Sequence, residues 1–197
     1  APAIAYHQAG FDIGSVNGAK PTLIKMKPDI NQPFPDDISR AIRRAYYACV
    51  SFQDSQIGRV LSAVDALPVA QQPVVALVGD HGWHLGEYSM YHKFANFELT
   101  TRVPFIVRSP AHPASAGKRT AALAGLIDLY PTLASLAEVS KPTDPIEGVD
   151  LSSVFESPEL PLLQLGLGPR EAVFSQYPRC PKPGQNESHS PGACTPG

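Results

Sequence analysis

The sequence PVVALVGDHG, residues 73–82, decides the fold that we predict for this chain. Residues 73–79 form a short, continuous apolar run rich in valine, which favours a strand buried on both faces, as in a parallel sheet. An acid and an imidazole, Asp80 and His81, follow where this strand is expected to end. Because ligands of open α/β sheets bind at the carboxyl ends of strands, residues 80–82 mark a candidate site.

A long helix is predicted before this strand. Asp36 or Asp37 suits its N-terminus and Pro68 stops it, so the helix should run to about Leu67. Its apolar residues step by three or four as far as Phe52, and the stripe resumes at Ile57. Cys49 is expected to pack in this stripe as a small hydrophobe. The stripe consists of Ile38, Ile42, Ala45, Cys49, Phe52, Ile57, Val60, Leu61 and Val64.

The opposite face of this helix carries Arg40, Arg43 and Arg44. We interpret them as a solvated face that pairs with the acids of the first turn, Asp36 and Asp37.

The later segments predict further alternation of strand and helix. We expect strands over residues 103–108 and 172–175, a helix that begins near Asp128, and a short helical turn within residues 148–155. This order predicts an α/β fold with a central, mostly parallel sheet that the chain represents only in part. Residues 1–35 are predicted to be an irregular lead-in, residues 36–179 part of one domain, and residues 180–197 a loop or tail.

Composition excludes several functional classes. The chain has 197 residues, 43% of them hydrophobic, and a net charge of −2, which predicts a globular domain without a nucleic-acid or membrane-surface partner. No signal peptide is visible at its start. Cys180 and Cys194 flank a loop that a disulfide could close, and Asn186 begins a glycosylation tripeptide. These two features favour a lysosomal or secreted location.

The residues from Asp80 to Lys93 carry the predicted chemistry. Gly82 permits a turn that brings Asp80 and His81 together, where an oxygen and a nitrogen ligand suit a divalent ion. In an aromatic pocket, Lys93 could neutralise a tetrahedral oxyanion. The plain alternatives are a capping aspartate, a hydrogen-bonded histidine and a solvated lysine.

Several segments, taken in order, resemble one family. VGDHGWHLGE at 78–87, Lys93, TRVPFI at 101–106 and the helical YYACVSFQDSQIGR at 46–59 are similar to the middle of a type I sulfatase of the alkaline-phosphatase superfamily. IDLYPTL at 127–133 resembles a later segment. DHGW together with FSQYPR at 174–179 resembles the iduronate-2-sulfatase branch.

This resemblance implies an alkaline-phosphatase-like sandwich and hydrolysis of sulfate esters on the uronic acids of glycosaminoglycans. A hydrated formylglycine would attack sulfur, and Ca²⁺, or alternatively Mg²⁺, would hold the sulfate oxygens. Asp80 and His81 resemble two metal ligands, and Lys93 resembles the lysine that contacts sulfate, so His81 and Lys93 are the catalytic candidates. Trp83 and His84, with Lys93, would bind substrate. Glu87 would support the metal ligands by hydrogen bonding.

The chain also departs from the family pattern. The nucleophile motif Cys/Ser-x-Pro-x-Arg is absent from it, and the resemblance gives no counterpart to the upstream pair of aspartate ligands. We therefore expect the rest of a sulfatase domain as a partner, and no turnover by the isolated chain. Two alternatives stay open: a phosphate or phosphonate ester hydrolase of the same superfamily, and a truncated homologue without catalysis.

Overall fold

The computed structural model describes residues 33–93, 95–140 and 145–176. Contacts divide the chain into two compact units. The first contains the residues up to Ser55 and His81–Val103, and the second contains Gln56–Asp80 and Pro104–Ser175. The predictions for the irregular lead-in up to residue 32, for a Cys180–Cys194 disulfide and for glycosylation at Asn186 fall outside the described residues.

The predicted long helix is confirmed as α1, Asp36–Asp65, with two aspartates in its first turn. It ends two residues before the expected boundary. None of its side chains is buried, although Ile38, Ile42 and Leu61 are half-buried. The prediction that Cys49 packs inside is wrong for the described structure, because the thiol is exposed. Periodicity fixes which side chains share a face of a helix, whereas burial also depends on what covers that face.

The second unit contains the strand that decided the fold. β1 (Val75–Val78) pairs with β4 (Phe105–Arg108) in antiparallel register, with Val78 opposite Phe105. Leu77 is 42% exposed and Ile106 is 60% exposed. The expectation of a strand buried on both faces is therefore wrong for the described residues, in which both strand pairings are antiparallel. Valine-rich composition favours a strand without stating which neighbour it pairs with.

The same unit has a small core around α3 (Leu129–Leu136) and a 3₁₀ turn at Ser152–Phe155. These elements confirm the predicted helix near Asp128 and the short turn within residues 148–155. Leu151, Val154 and Leu162 form the buried apolar cluster.

One side chain, the fully buried Asp128, joins three segments of this unit. Its carboxylate accepts hydrogen bonds from the backbone N–H groups of Gly125 (2.7 Å) and Val149 (2.8 Å), and it forms an ion pair with Arg170. Three donors on one buried carboxylate hold the loops around the start of α3 in place.

The first unit contains a two-stranded hairpin and a short helix. β2 (His84–Leu85) pairs with β3 (Tyr91–His92), and α2 (Glu98–Thr101) follows. Arg43 on α1 donates from Nε to the carbonyl of Leu85 at 2.9 Å, which ties the helix to the hairpin.

Two further findings concern the expected elements. The strand predicted over residues 172–175 is not formed, and Phe174 is 97% exposed. Apolar residues become a strand only beside a partner, and none pairs with this segment among the residues described. In the described part of the chain, no helix is long and apolar enough to cross a bilayer.

Candidate active site

The centre of the candidate site is a contact between His81 and Lys93. Lys93 Nζ lies 2.5 Å from His81 Nε2, and His81 Nδ1 lies 3.0 Å from the carbonyl oxygen of Gly82. An ammonium group only donates hydrogen bonds, so Nε2 is the acceptor and the ring proton is on Nδ1. The pair is therefore a cation held by a neutral imidazole. The structure thus brings together His81 and Lys93, the two catalytic candidates that the family resemblance indicated.

Gly82 fixes the loop that carries His81. Its N–H donates to the carbonyl of Thr100 at 2.9 Å. A Cβ atom at this position would lie 1.9 Å from the carbonyl oxygen of Leu99, so only glycine fits against α2. Gly82 is therefore needed for the close approach of the α2 backbone, and its expected role in bringing Asp80 and His81 together stays a prediction.

The hairpin positions Lys93. Its turn is closed by a 2.8 Å bond from the N–H of Gly86, whose φ is +112°, to the carbonyl of Met90. Glu87 accepts a 2.6 Å bond from the N–H of Leu85 and so closes the other side of the turn. His92 has a φ of +74°, which redirects the chain just before Lys93. Sequence reasoning missed this hairpin, because two-residue strands are too short to show alternation.

Trp83 is the centre of a group of rings beside His81. Trp83 lies 6.3 Å from Tyr46, nearly parallel to it, 6.3 Å from His81, and 5.1 Å from His92, measured between ring centroids. Burial lowers the pKa of His92, and the positive charge of Lys93 lowers that pKa further. The rings form an apolar wall beside the His81–Lys93 pair, and contact of Trp83 with substrate stays a prediction. Tyr46 was missed as a wall residue, although it lies in a segment that carried the resemblance.

His84 has a different environment from the one expected of a substrate-binding residue. The side chain is fully buried, and neither ring nitrogen has a hydrogen-bond partner within the described residues. Phe97 and Tyr88 meet its ring edge-on, at 5.9 and 6.4 Å between centroids. Burial lowers its pKa, and the carboxylate of Glu87 opposes that shift in part. These surroundings favour a neutral packing residue, and contact of His84 with substrate stays a prediction.

The two predicted metal ligands differ in exposure. Asp80 is exposed, whereas His81 is half-buried and in contact with Lys93. Across the residues with described positions, no group of three or more ligand-type side chains could hold a metal ion. Ca²⁺ takes six to eight oxygen ligands. The described side chains alone therefore do not fit a calcium ion, and the ligand roles stay predictions.

The chain is similar to sulfatases over most of its length. The Sulfatase family profile matches residues 12–139. Iduronate 2-sulfatase of Mus musculus is 37% identical over 187 residues, and that of Homo sapiens is 35% identical. Each alignment covers 75% of this chain but 33% of the relative, so the chain spans about a third of their length.

The chain is also similar to a further sulfatase sequence and to a solved structure. A Sulfatase of Formosa agariphila is 35% identical over 120 residues, which is 61% of this chain and 23% of that protein. A solved structure of BT4656 in complex with its substrate D-glucosamine-2-N, 6-O-disulfate covers 54% of this chain and 21% of its own, at 30% identity and a TM-score of 0.48. On the profile match and the two iduronate 2-sulfatase alignments, the chain belongs to the sulfatase family, whose fold is the α/β fold of the alkaline-phosphatase-like superfamily.

Proposed function

We propose that this chain supplies part of the active site of a sulfuric ester hydrolase that removes sulfate from uronic acid residues of glycosaminoglycans. The single observation that carries the proposal is the 2.5 Å contact between Lys93 Nζ and His81 Nε2, within the segment that matches the family. The similarity to iduronate 2-sulfatases supports the choice of substrate.

The site residues have distinct proposed roles. The ammonium group of Lys93 neutralises negative charge on the sulfate oxygens and on the leaving oxygen. His81 accepts one of its hydrogen bonds and so fixes its position, while Trp83 excludes water from one side. The formylglycine nucleophile and the remaining metal ligands are proposed to come from the rest of a sulfatase domain, which acts as the partner of this chain.

The role of Lys93 is tested by replacement with alanine in the protein expressed from its complete gene. Loss of a preorganised charge contact is worth about 3–4 kcal/mol, so hydrolysis of an aryl sulfate and of a 2-O-sulfated iduronide should fall by about a hundredfold or more. Lys118→Ala, at an exposed lysine of the second unit, is the matched control and should retain full activity. Equal rates for the two variants would remove Lys93 from the mechanism.

The same assay decides the type of ester. Phosphate and phosphonate monoesters are offered beside the sulfates, and the proposal requires a higher kcat/KM for the sulfates. Preference for a phosphate ester would replace the proposed function with that of a phosphoryl hydrolase. Hydrolysis of none of these esters by the complete protein would favour a homologue without catalysis.

The metal proposal names Asp80 and His81 as two ligands of Ca²⁺, with Mg²⁺ as the alternative. His81 would bind the ion through Nε2, so ion binding would replace the contact between Nε2 and Lys93. Asp80→Asn removes a charged oxygen ligand and should weaken binding of the preferred ion. Isothermal calorimetry of the complete protein with calcium and then magnesium chloride measures the affinity. Asp54→Asn, an exposed acid on α1, is the control. Equal calcium affinity in the two variants would refute the ligand assignment.

We also propose a lysosomal or secreted location, supported by the tripeptide Asn186-Glu187-Ser188 and by the similarity to iduronate 2-sulfatases. A mobility shift on glycosidase treatment that Asn186→Gln abolishes would support this location. Unglycosylated protein in the cytosol would refute it.

A further inference from the structure

A polar cavity lies in the first unit, between the start of α1 and the hairpin. It has a volume of about 350 Å³, and its lining includes Phe34, Ser39, Arg40, Arg43 and Tyr91. The predicted catalytic residues His81 and Lys93 do not line it. The proposed catalytic and metal-binding residues therefore leave this cavity without a role.

The cavity presents two guanidinium groups with unused donors. Within the described residues, Arg43 uses only Nε, which donates to the carbonyl of Leu85 at 2.9 Å. Arg40 is exposed and makes no hydrogen bond or ion pair within the described residues. The expected pairing of these arginines with Asp36 and Asp37 is therefore absent from the described structure. Arginines that fold without a carboxylate partner are available for an external anion.

The hairpin shapes the cavity around these donors. A Cβ atom at Gly86 would lie 3.1 Å from Arg43 Nη2 and 3.0 Å from Tyr91 Oη, so glycine leaves room for both groups. The hydroxyl groups of Tyr91 and Ser39 are hydrogen-bonded at 2.8 Å. Gly86 therefore keeps a guanidinium and a hydroxyl at the same wall of the cavity.

The charge and shape of the lining indicate the class of ligand. Two arginines outweigh the single carboxylate in the lining, Asp36, and a guanidinium fork matches the oxygens of a carboxylate or a sulfate. Phe34 and Tyr91, tilted 53° to each other at 5.0 Å, give the cavity an apolar side. An anionic group borne on a sugar ring meets both conditions.

We propose that this cavity, termed the Arg40 cleft, is an anion subsite that binds a carboxylate or sulfate of a polyanionic saccharide. The inference rests on the proposed function for the identity of the saccharide. Tyr91 precedes Lys93 by two residues on the same hairpin, so ligand bound in the cleft contacts the element that positions Lys93. The cleft selects for charged polymers over small sulfate esters.

Binding affinity, measured by calorimetry on the complete protein, tests the inference without any need for turnover. The probe is a heparin-derived hexasaccharide, and the variants are Arg40→Gln and Arg44→Gln. Arg44 is exposed on the same helix but does not line the cleft. Loss of one solvent-exposed charge contact should weaken binding by about three- to tenfold in Arg40→Gln and leave Arg44→Gln unchanged. Equal affinities of the two variants would overturn the inference, whether or not the protein hydrolyses sulfate esters.

Three further probes identify the anion. A desulfated hexasaccharide retains only carboxylates, a carboxyl-reduced one retains only sulfates, and inorganic sulfate stands for a free ion. The probe that loses affinity in Arg40→Gln but not in Arg44→Gln identifies the group that the cleft binds. If inorganic sulfate alone shows the difference, the cleft binds the free ion and the saccharide proposal fails.

Discussion

Replacement of Gly82 by alanine is the sharpest test of how the loop before Trp83 is built. The new Cβ atom would lie 1.9 Å from the carbonyl oxygen of Leu99 and 2.9 Å from its carbon, both backbone atoms that cannot rotate away. Reaching even 3.0 Å requires a shift of 1.1 Å. A shift of this size breaks the 2.9 Å bond from the Gly82 N–H to the Thr100 carbonyl.

The cost follows from these two effects. A lost hydrogen bond costs about 0.5–1.5 kcal/mol, and a forced backbone shift costs about 1–3 kcal/mol, which together give about 1.5–4.5 kcal/mol. Gly58→Ala is the matched control, since nothing lies within 4 Å of the added Cβ atom. Gly58 is inside α1, where alanine is better than glycine by about 0.5–1 kcal/mol. The two glycine-to-alanine changes should therefore shift stability in opposite directions.

Urea unfolding followed by tryptophan fluorescence measures both variants. The chain has one tryptophan, Trp83, directly after Gly82, so its emission reports on this loop. Gly82→Ala should also displace His81 from Lys93 and reduce any sulfatase activity. If the free energy of unfolding of Gly82→Ala lies within about 0.5 kcal/mol of the wild type, the change is no larger than that of a neutral surface substitution. That result would refute the proposed packing of Gly82 against α2.

Three other predictions concern stability. Burial lowers the pKa of His84, so the unfolded chain binds a proton more readily than the folded chain does. The free energy of unfolding should therefore fall as the pH drops below about 6.5. Urea denaturation at several pH values should show a smaller fall for His84→Phe. Asp128→Asn leaves Arg170 without its charged partner and should lower the free energy of unfolding in urea by about 3–5 kcal/mol. An unchanged midpoint would contradict the importance of the buried carboxylate. The exposed Asp65–Arg108 pair should contribute less than about 1 kcal/mol, and a double-mutant cycle giving more would contradict that estimate.

The sequence was sufficient where a local pattern is long. The thirty residues of α1 carry an acidic start, a stripe and a stopping proline, so both ends were predicted to within two residues. The helix that begins near Asp128 and the position of β1 were also predicted from local patterns of apolar residues. The pairing of β1 with β4 did not, because the partner of a strand depends on contacts distant in sequence.

The candidate site shows the same division. The family resemblance selected His81 and Lys93, and the structure places them in contact. It did not show that His84 is buried between Phe97 and Tyr88, because a histidine beside a tryptophan looks equally suited to a surface. The roles of Arg43 and Gly86 in the Arg40 cleft were also missed, since each depends on the hairpin and α1 lying side by side.

Two residues in the turn of the hairpin have a left-handed backbone conformation, and one of them can be replaced to raise thermal stability. Ser89 has a φ of +56°. This left-handed conformation raises the free energy of most L-residues by about 1 kcal/mol, whereas glycine and asparagine adopt it at lower cost. Its neighbour Tyr88 shares this geometry but stacks on Phe97, so it is better retained. Ser89→Asn or Ser89→Gly should therefore raise the melting temperature while keeping the aromatic contacts around His84.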